Sequence, residues 1–180
     1  LRFYTWDPPA LSLGRFQKIE TDVNKDTSRK LGIDIVRRVT GGRAVLHNHE
    51  LTYSVVARTD DPLFPGNVLG AYKVIAAGLL AGLGNLGIHA EMVSRSGRHA
   101  HLVKKNSKDP ACFSSPSWYE ILVNGKKIIG SAQRRVPGAF LQHGSILIAY
   151  DPVLEASVIS GSSADHAVTS IQEALGKAVP

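Results

Sequence analysis

The stretch from Tyr119 to Gln133 constrains the fold more than any other part of this chain. Tyr119-Glu120-Ile121-Leu122-Val123 and Lys126-Lys127-Ile128-Ile129-Gly130-Ser131-Ala132-Gln133 are β-favouring runs separated by Asn124-Gly125 alone. A two-residue hairpin loop of type I′ needs positive φ at both central positions, which Asn-Gly tolerates best. An antiparallel hairpin follows, and an isolated hairpin is unstable in water, so other strands and helices must cover it. Further strands are predicted at Arg2–Trp6, Ala10–Phe16, Ile33–Arg38, Ala44–His47, Leu51–Ala57, Ile88–Ser94 and Ala139–Tyr150. Asp22–Leu31 is polar and helix-compatible, closed by Gly32. From Asn67 to Leu83 the apolar positions Val68, Tyr72, Ile75, Ala76, Leu79, Leu80 and Leu83 recur at three and four residues, an amphipathic helix with Gly84 at its C-cap. Ser170-Ile171-Gln172-Glu173 is a capping box opening a short helix. Strands outnumber helices and are mostly sequential, so the class is α+β.

The 180 residues make one domain spanning 1–180. With 43% hydrophobic and 20% charged residues, disorder, collagen and coiled coil are excluded. No apolar run approaches the ~18 residues of a membrane span, so no membrane is expected as a partner. Cys112 is the single cysteine, so no internal disulfide forms and a reducing, cytoplasmic setting is expected. Lys and Arg outnumber Asp and Glu by 21 to 15, for a net charge of +6. Arg95, Arg98, Lys104, Lys105 and Lys108 fall in one segment without an acid. Such a charge attracts acidic partners. No recognition motif or aromatic platform points to nucleic acid.

Gly82-Leu83-Gly84-Asn85-Leu86-Gly87 matches G-x-G-x-x-G, but it ends a helix instead of opening one, so it reads as helix termination and not as a dinucleotide loop. His47-Asn48-His49 and His99-Ala100-His101 lack the cysteines and acids of a zinc site, and no metal is expected. Arg37-Arg38-Val39-Thr40-Gly41-Gly42-Arg43 is either a turn with surface arginines or a loop whose amides and guanidinium groups receive carboxylate or phosphate oxygens. Cys112 is either a small buried hydrophobe or, given the basic residues before it, a reactive thiolate. Lys127 is either solvated or, next to Ile128-Ile129, drawn into the core and partly desolvated.

Together these segments resemble the lipoate–protein ligase and octanoyltransferase superfamily. The resemblance is carried by Arg37-Arg38-x-Thr40-Gly41-Gly42-Arg43-Ala44-Val45-x-His47, by Glu50-Leu51-Thr52-Tyr53-Ser54-Val55, by Lys127 to Gln133, and by Gln142-His143-Gly144-Ser145-Ile146-Leu147. Arg2-Phe3-Tyr4-x-Trp6 and Leu11-Ser12-x-Gly14-x-Phe16-Gln17 look like it too. Cys112-Phe113-x-x-Pro116-Ser117-Trp118-Tyr119-Glu120 is similar to the LipM-type octanoyltransferase branch, whose nucleophilic cysteine lies here. Family members usually carry a helix before the first strand and further helices after the last. Neither is present, and the chain begins at Leu1 inside a strand, so a longer natural protein is expected.

The resemblance implies a biotin/lipoate-protein-ligase-like catalytic domain, with mixed and antiparallel sheets flanked by helices. It implies an acyltransferase of lipoate biosynthesis that takes octanoyl from acyl carrier protein and gives it to a lysine of an acceptor, either a lipoyl-domain protein or the glycine cleavage H protein. Cys112 would be the nucleophile, and Lys127 would keep its thiol ionised and shuttle protons. Arg37, Arg38, Gly41, Gly42, Arg43, Val45, His47, Tyr53, Gly130, Ser131, Ala132, His143 and Gly144 would bind substrate, with Leu141 a further wall of the acyl tunnel. Backbone amides at Gly41-Gly42 or Gly130-Ser131 would hold the oxyanion. No cofactor is expected. The alternatives are a lipoate–protein ligase, which would need ATP and Mg²⁺, and a non-catalytic domain that binds the acyl group or a carrier protein.

Overall fold

The computed structural model describes residues 1–64, 66–93, 111, 119–162 and 167–179. Cys112, the basic segment from Arg95 to Lys108, and His99 and His101 lie outside them. In chain order the elements are β1 (Arg2–Tyr4), β2 (Ala10–Leu13), α1 (Ile19–Asp22), α2 (Lys25–Lys30), β3 (Asp34–Arg37), β4 (Val45–His47), β5 (Glu50–Arg58), α3 (Val68–Asn85), β6 (Glu91–Met92), β7 (Ile121–Val123), β8 (Lys126–Val136), β9 (Ala139–Leu147), α4 (Pro152–Val158) and α5 (Ile171–Leu175). The larger sheet has the order β1-β5-β9-β8-β7-β6 and the smaller β3-β2-β4. Every pair in the larger sheet is antiparallel. In the smaller, β2 runs parallel to β3 and antiparallel to β4. The class is α+β with mixed sheets, as expected.

The hairpin forms where Asn124-Gly125 places it, with φ of 50° and 78° at the two turn residues. Half of the capping box forms: Ser170 Oγ accepts from the Glu173 N–H, while the Glu173 carboxylate accepts from Lys126 Nζ at 2.7 Å, and Gly176 ends α5 at a φ of 64°. Of the stretch Asp22–Leu31, expected as one helix, Lys25–Lys30 forms α2, while Asp22 ends the separate α1. They part at Val23, which is buried and bridges Ile159. The strand expected at Ile88–Ser94 is reduced to two residues. Helix α4 was not anticipated, although its signals were present. Asp151 caps the N–H groups of Val153 and Leu154, and Pro152 sits at the first turn. Helix α3 has 18 residues and a mean hydropathy of 1.4, so by length and composition it does meet the criterion for a span that the sequence was expected to lack. It lays Ala71, Ile75, Ala76 and Leu83 into the protein core.

Strand alternation gives the larger sheet two different faces. One presents Tyr53, Phe140, Ile146 and Ile129, which cluster with α3. The other presents Thr52, Ser145, Gly130, His143 and Ala132, matched across β5, β9 and β8. The smaller sheet meets this second face, where Val45 packs with Leu147 and Val168.

The pairing of β7 with β8 slips by one residue. Ile121 faces Ile129, but Leu122 faces Lys127, which leaves Ile128 as the extra residue of a bulge. Ile121 and Leu122 point to opposite faces, so their partners do too. Lys127 therefore shares the face of Gly130 and Ala132, whereas an unbulged strand would have sent it toward α3 with Ile129.

Gly144 is required where these layers converge. A Cβ there would run into the Gly130 carbonyl oxygen and lie 2.7 Å from Tyr53 Cε1 and 2.9 Å from Ser131 Oγ. Replacing Gly144 by Ala is expected to destabilise the fold by about 1–3 kcal/mol, seen as a Tm lowered by several degrees in a thermal melt. An unchanged Tm would show that β8 and β9 separate freely.

Candidate active site

Strand β7 pairs with β8 only from Lys126 to Ile129. Beyond that point no described strand pairs with the outer edge of β8. The Ser131 carbonyl of β8 accepts from Tyr72 Oη at 3.4 Å. A cavity of about 150 Å³ lies along that edge. Gly130, Ser131 and Ala132 line it from β8, and His143, Gly144 and Ser145 from β9. Ser12, Arg38, Gly42, Arg43, Val45 and His47 close it from the smaller sheet and its loop, joined by Thr52, Tyr72 and Glu120. Gly130 leaves the cavity face of β8 without a side chain, and Gly144 leaves room on the opposite face for Tyr53 and Ser131.

A buried polar network forms one wall. His47 Nε2 lies 2.7 Å from Ser12 Oγ, and His47 Nδ1 lies 3.2 Å from Glu50 Oε1 and 3.3 Å from Ser145 Oγ. Trp6 stacks on His47 at 4.3 Å between ring centroids and donates from Nε1 to Thr52 Oγ1 at 2.9 Å. Thr52 in turn donates to Glu50 Oε1 at 2.6 Å. Arg38 donates to the Ser12 carbonyl at 2.8 Å and to the carbonyls of Gly41 and Arg43. The guanidinium thus ties the paired-glycine loop to β2, using carbonyl acceptors that a turn would otherwise leave unsatisfied.

His143 faces this wall. Its Nε2 lies 2.7 Å from Thr40 Oγ1. Burial, reinforced by the charge of Arg38 and by His47, pushes its pKa down to about 4, so the ring is neutral at pH 7. A neutral imidazole can donate from one nitrogen and accept at the other.

Lys127 has no exposed surface. Its Nζ donates to Glu120 Oε1 at 2.6 Å, and Glu120 is itself buried and lines the cavity. The Lys127 N–H donates to the Ala167 carbonyl at 2.8 Å, and the Lys127 carbonyl accepts from Thr169 N–H at 2.9 Å. Backbone and ammonium are therefore both fixed. Ala111, the residue before Cys112 in sequence, is fully buried and bridges Ala44, between the cavity residues Arg43 and Val45. Among the described residues no three His, Cys, Asp or Glu side chains come together as metal ligands.

Residues 1–180 match the family described as the lipoyl protein ligase A/B catalytic domain. The chain belongs to this family. It is 52% identical over 151 residues to Octanoyltransferase LipM of Brevibacillus brevis, which is 84% of this chain and 55% of that protein. It is 47% identical over 163 residues to Octanoyltransferase LipM of Lysinibacillus sphaericus, or 91% of this chain and 59% of that protein. The chain thus spans little more than half the length of these relatives. Among solved structures, "lipoate-protein ligase A bound with ATP" superposes with a TM-score of 0.73 at 27% identity, covering 95% of this chain and 62% of that one. A putative lipoate protein ligase from T. acidophilum with bound lipoic acid gives 0.68 at 27%, covering 97% and 67%.

Within this catalytic domain the structure sorts the residues singled out from sequence. Arg38, Gly42, Arg43, Val45, His47, Gly130, Ser131, Ala132, His143 and Gly144 surround one cavity. Arg37 does not line it: its Nη1 donates to the carbonyls of Gly14 and Gln17 at 2.9 and 2.7 Å, holding the loop after β2. Gly41 is spent on Arg38. Tyr53 is not a tunnel wall. It lies in the core on the α3 face, and its hydroxyl bonds Ser131 Oγ at 2.7 Å, bracing a cavity residue from behind. Leu141 sits beyond the cavity, between Val56 and Arg134. Lys127 is not among the described residues that line the cavity, but its partner Glu120 is, and Cys112 lies outside the described residues.

Sequence reasoning missed Ser12, Thr52, Tyr72, Glu120 and Ser145 as cavity residues. Thr52 and Ser145 could have been found from strand parity with His143; Tyr72 looked like one more member of the apolar stripe of α3.

Because His143 is neutral in the folded protein, acid costs stability. The unfolded chain takes up the proton near pH 6.5 and the folded one only near 4, so stability falls as pH drops through this window, by on the order of 3 kcal/mol in full. Urea melts of the parent and of His143→Gln at pH 7 and pH 4.5 check this. The slope should be shallower in the variant; equal slopes would mean the ring is protonated in the fold.

Proposed function

We propose that this domain transfers an octanoyl group from an acyl carrier protein thioester to the lysine of a lipoyl-acceptor protein, through a thioester on Cys112. The observation that carries the reading is the Lys127–Glu120 pair, sealed from solvent at the rim of a cavity beside which the chain leading into Cys112 is anchored at Ala111. The names of the relatives that share about half of this sequence support it.

In the first step the Cys112 thiolate attacks the donor's thioester carbonyl, the donor's C–S bond breaks, and the donor thiolate leaves with a proton from the Lys127 ammonium. In the second, the acceptor's uncharged lysine Nζ attacks the Cys112 thioester, the C–S bond breaks, and an amide forms. The proton lost from nitrogen is returned to the pair of sulfur and Lys127. The intermediate keeps the acyl carbon activated, so no nucleotide is required. A fixed ammonium at Lys127 favours the thiolate. A backbone amide at Gly130-Ser131 or at Gly41-Gly42 would hold the oxyanion of each tetrahedral intermediate, where loss of one donor costs about 3–4 kcal/mol in comparable sites. Neutral His143 and the Arg38-tied loop fit the acyl carbonyl and the carrier arm.

A second reading, an ATP-dependent ligase, is favoured by the likeness to a structure described as ATP-bound. Intact-mass spectrometry separates the two. Mixed with octanoyl carrier protein and no ATP, the chain should gain one octanoyl group that hydroxylamine removes and that Cys112→Ser does not form. An adduct absent without ATP, or retained in Cys112→Ser, contradicts the transferase.

Removing Lys127 alone would break a buried ion pair at a cost of about 3–5 kcal/mol. The double variant Lys127→Met, Glu120→Gln removes both charges. It should stay folded while acylation slows by about 10²–10⁴-fold in rapid-quench mass spectrometry. Unchanged rates would remove Lys127 from the mechanism.

A further inference from the structure

The cavity-bearing face of the larger sheet continues outward beyond the cavity. Residues on it pair in rows across β5, β9 and β8: Thr52, Ser145 and Gly130; then Ser54, His143 and Ala132; then Val56, Leu141 and Arg134. His47 reaches Ser145 in the first row, and Thr40 reaches His143 in the second. The third row is open, with Val56 68% exposed. Val136, two residues along β8 from Arg134, is 47% exposed, and Val39, whose carbonyl accepts from Arg134 at 3.1 Å, is 52% exposed. Beside Val39, the Arg15 N–H donates to the Thr40 carbonyl at 2.8 Å, and the Arg15 guanidinium lies over the ring of Phe16, which is 83% exposed.

We infer that this strip of valines with Arg134 and Arg15 is the docking surface for an acidic acceptor domain that presents its lysine to the cavity; the inference rests on the proposed acyl transfer. Apolar side chains gathered beside a cavity mouth and flanked by arginines have the make-up of a protein interface. Position selects the acceptor over the donor. A lysine side chain is short, and its nitrogen must come within about 3–3.5 Å of the acyl carbon, so the body of the acceptor has to rest on the rim. Charge selects an acidic domain. Arg134 and Arg15 supply positive charge to the strip, the nearby Asp60 is neutralised by Arg58 at 2.6 Å, and the chain as a whole carries +6.

The test is the affinity of this chain for an apo lipoyl domain of low pI, measured by isothermal titration at two salt concentrations. It is compared for the parent, Val56→Glu and Arg134→Glu. Labelling of each chain by a small octanoyl thioester, which needs no docking, is followed alongside. Each variant should weaken binding by about tenfold or more, added salt should weaken the parent, and labelling should be unaltered in all three. Absence of binding by the parent, affinities unmoved by both variants, or a Val56→Glu effect confined to self-association in sizing experiments would overturn the inference. If binding responds as expected but the parent is never labelled, the docking surface stands and the acyl-transfer reading falls.

Discussion

The site depends on an ammonium and a carboxylate held together out of water. Desolvating each ion costs several kcal/mol, so a buried pair endures only where its geometry is fixed. The hairpin supplies that geometry. Lys127 sits at the first paired positions of β8, its backbone clamped between Ala167 and Thr169, and Glu120 enters from just before β7. The one-residue slip at Ile128 turns the lysine away from α3 and toward the cavity. Without that bulge the charge would point into the apolar cluster of Ile75, Ile129 and Phe140, where nothing would balance it.

The same strands provide the opposite property a few residues on. Gly130 carries no side chain on the cavity face, and β7 pairs with β8 only as far as Ile129, with no described strand paired to that edge beyond it. A fixed charge and a stretch without a bulky side chain therefore lie side by side on one strand. The smaller sheet completes the arrangement by bringing Arg38, His47 and the Gly41-Gly42 turn over the larger one. Stacking on Trp6 and bonds to Ser12 and Glu50 fix the ring of His47, so little reorganisation is left for the moment a substrate binds.

Much of the fold was legible because its signals are local. Asn124-Gly125 dictates a turn, Ser170 caps a helix, and the apolar stripe from Val68 to Leu83 can only be a helix. The paired-glycine loop, the Lys127 strand and the His143 strand were legible as one site through their resemblance to a family, since nothing local says that residues 42, 130 and 144 meet. What escaped is tertiary in origin. Val23 breaks a helix because it is needed against Ile159. Glu120 reads as an ordinary surface acid until its partner is known. Tyr53 faces the wrong side of β5 for a tunnel wall, which strand parity reveals only once the register with Gly144 is fixed. Arg37 and Arg38 are neighbours in sequence, yet one ties down a loop and the other faces the cavity.

In the proposed reaction the acyl group passes through the protein itself, held as a thioester on Cys112. The most direct measurement is a single turnover of the second half-reaction. Octanoyl-enzyme freed of donor and nucleotide is mixed with an apo lipoyl domain, and both masses are followed in time. Octanoyl should leave the enzyme at the rate at which it appears as a hydroxylamine-stable amide on the acceptor lysine. Octanoyl that stays on the enzyme, is lost only to water, or moves only when ATP is added would contradict this route.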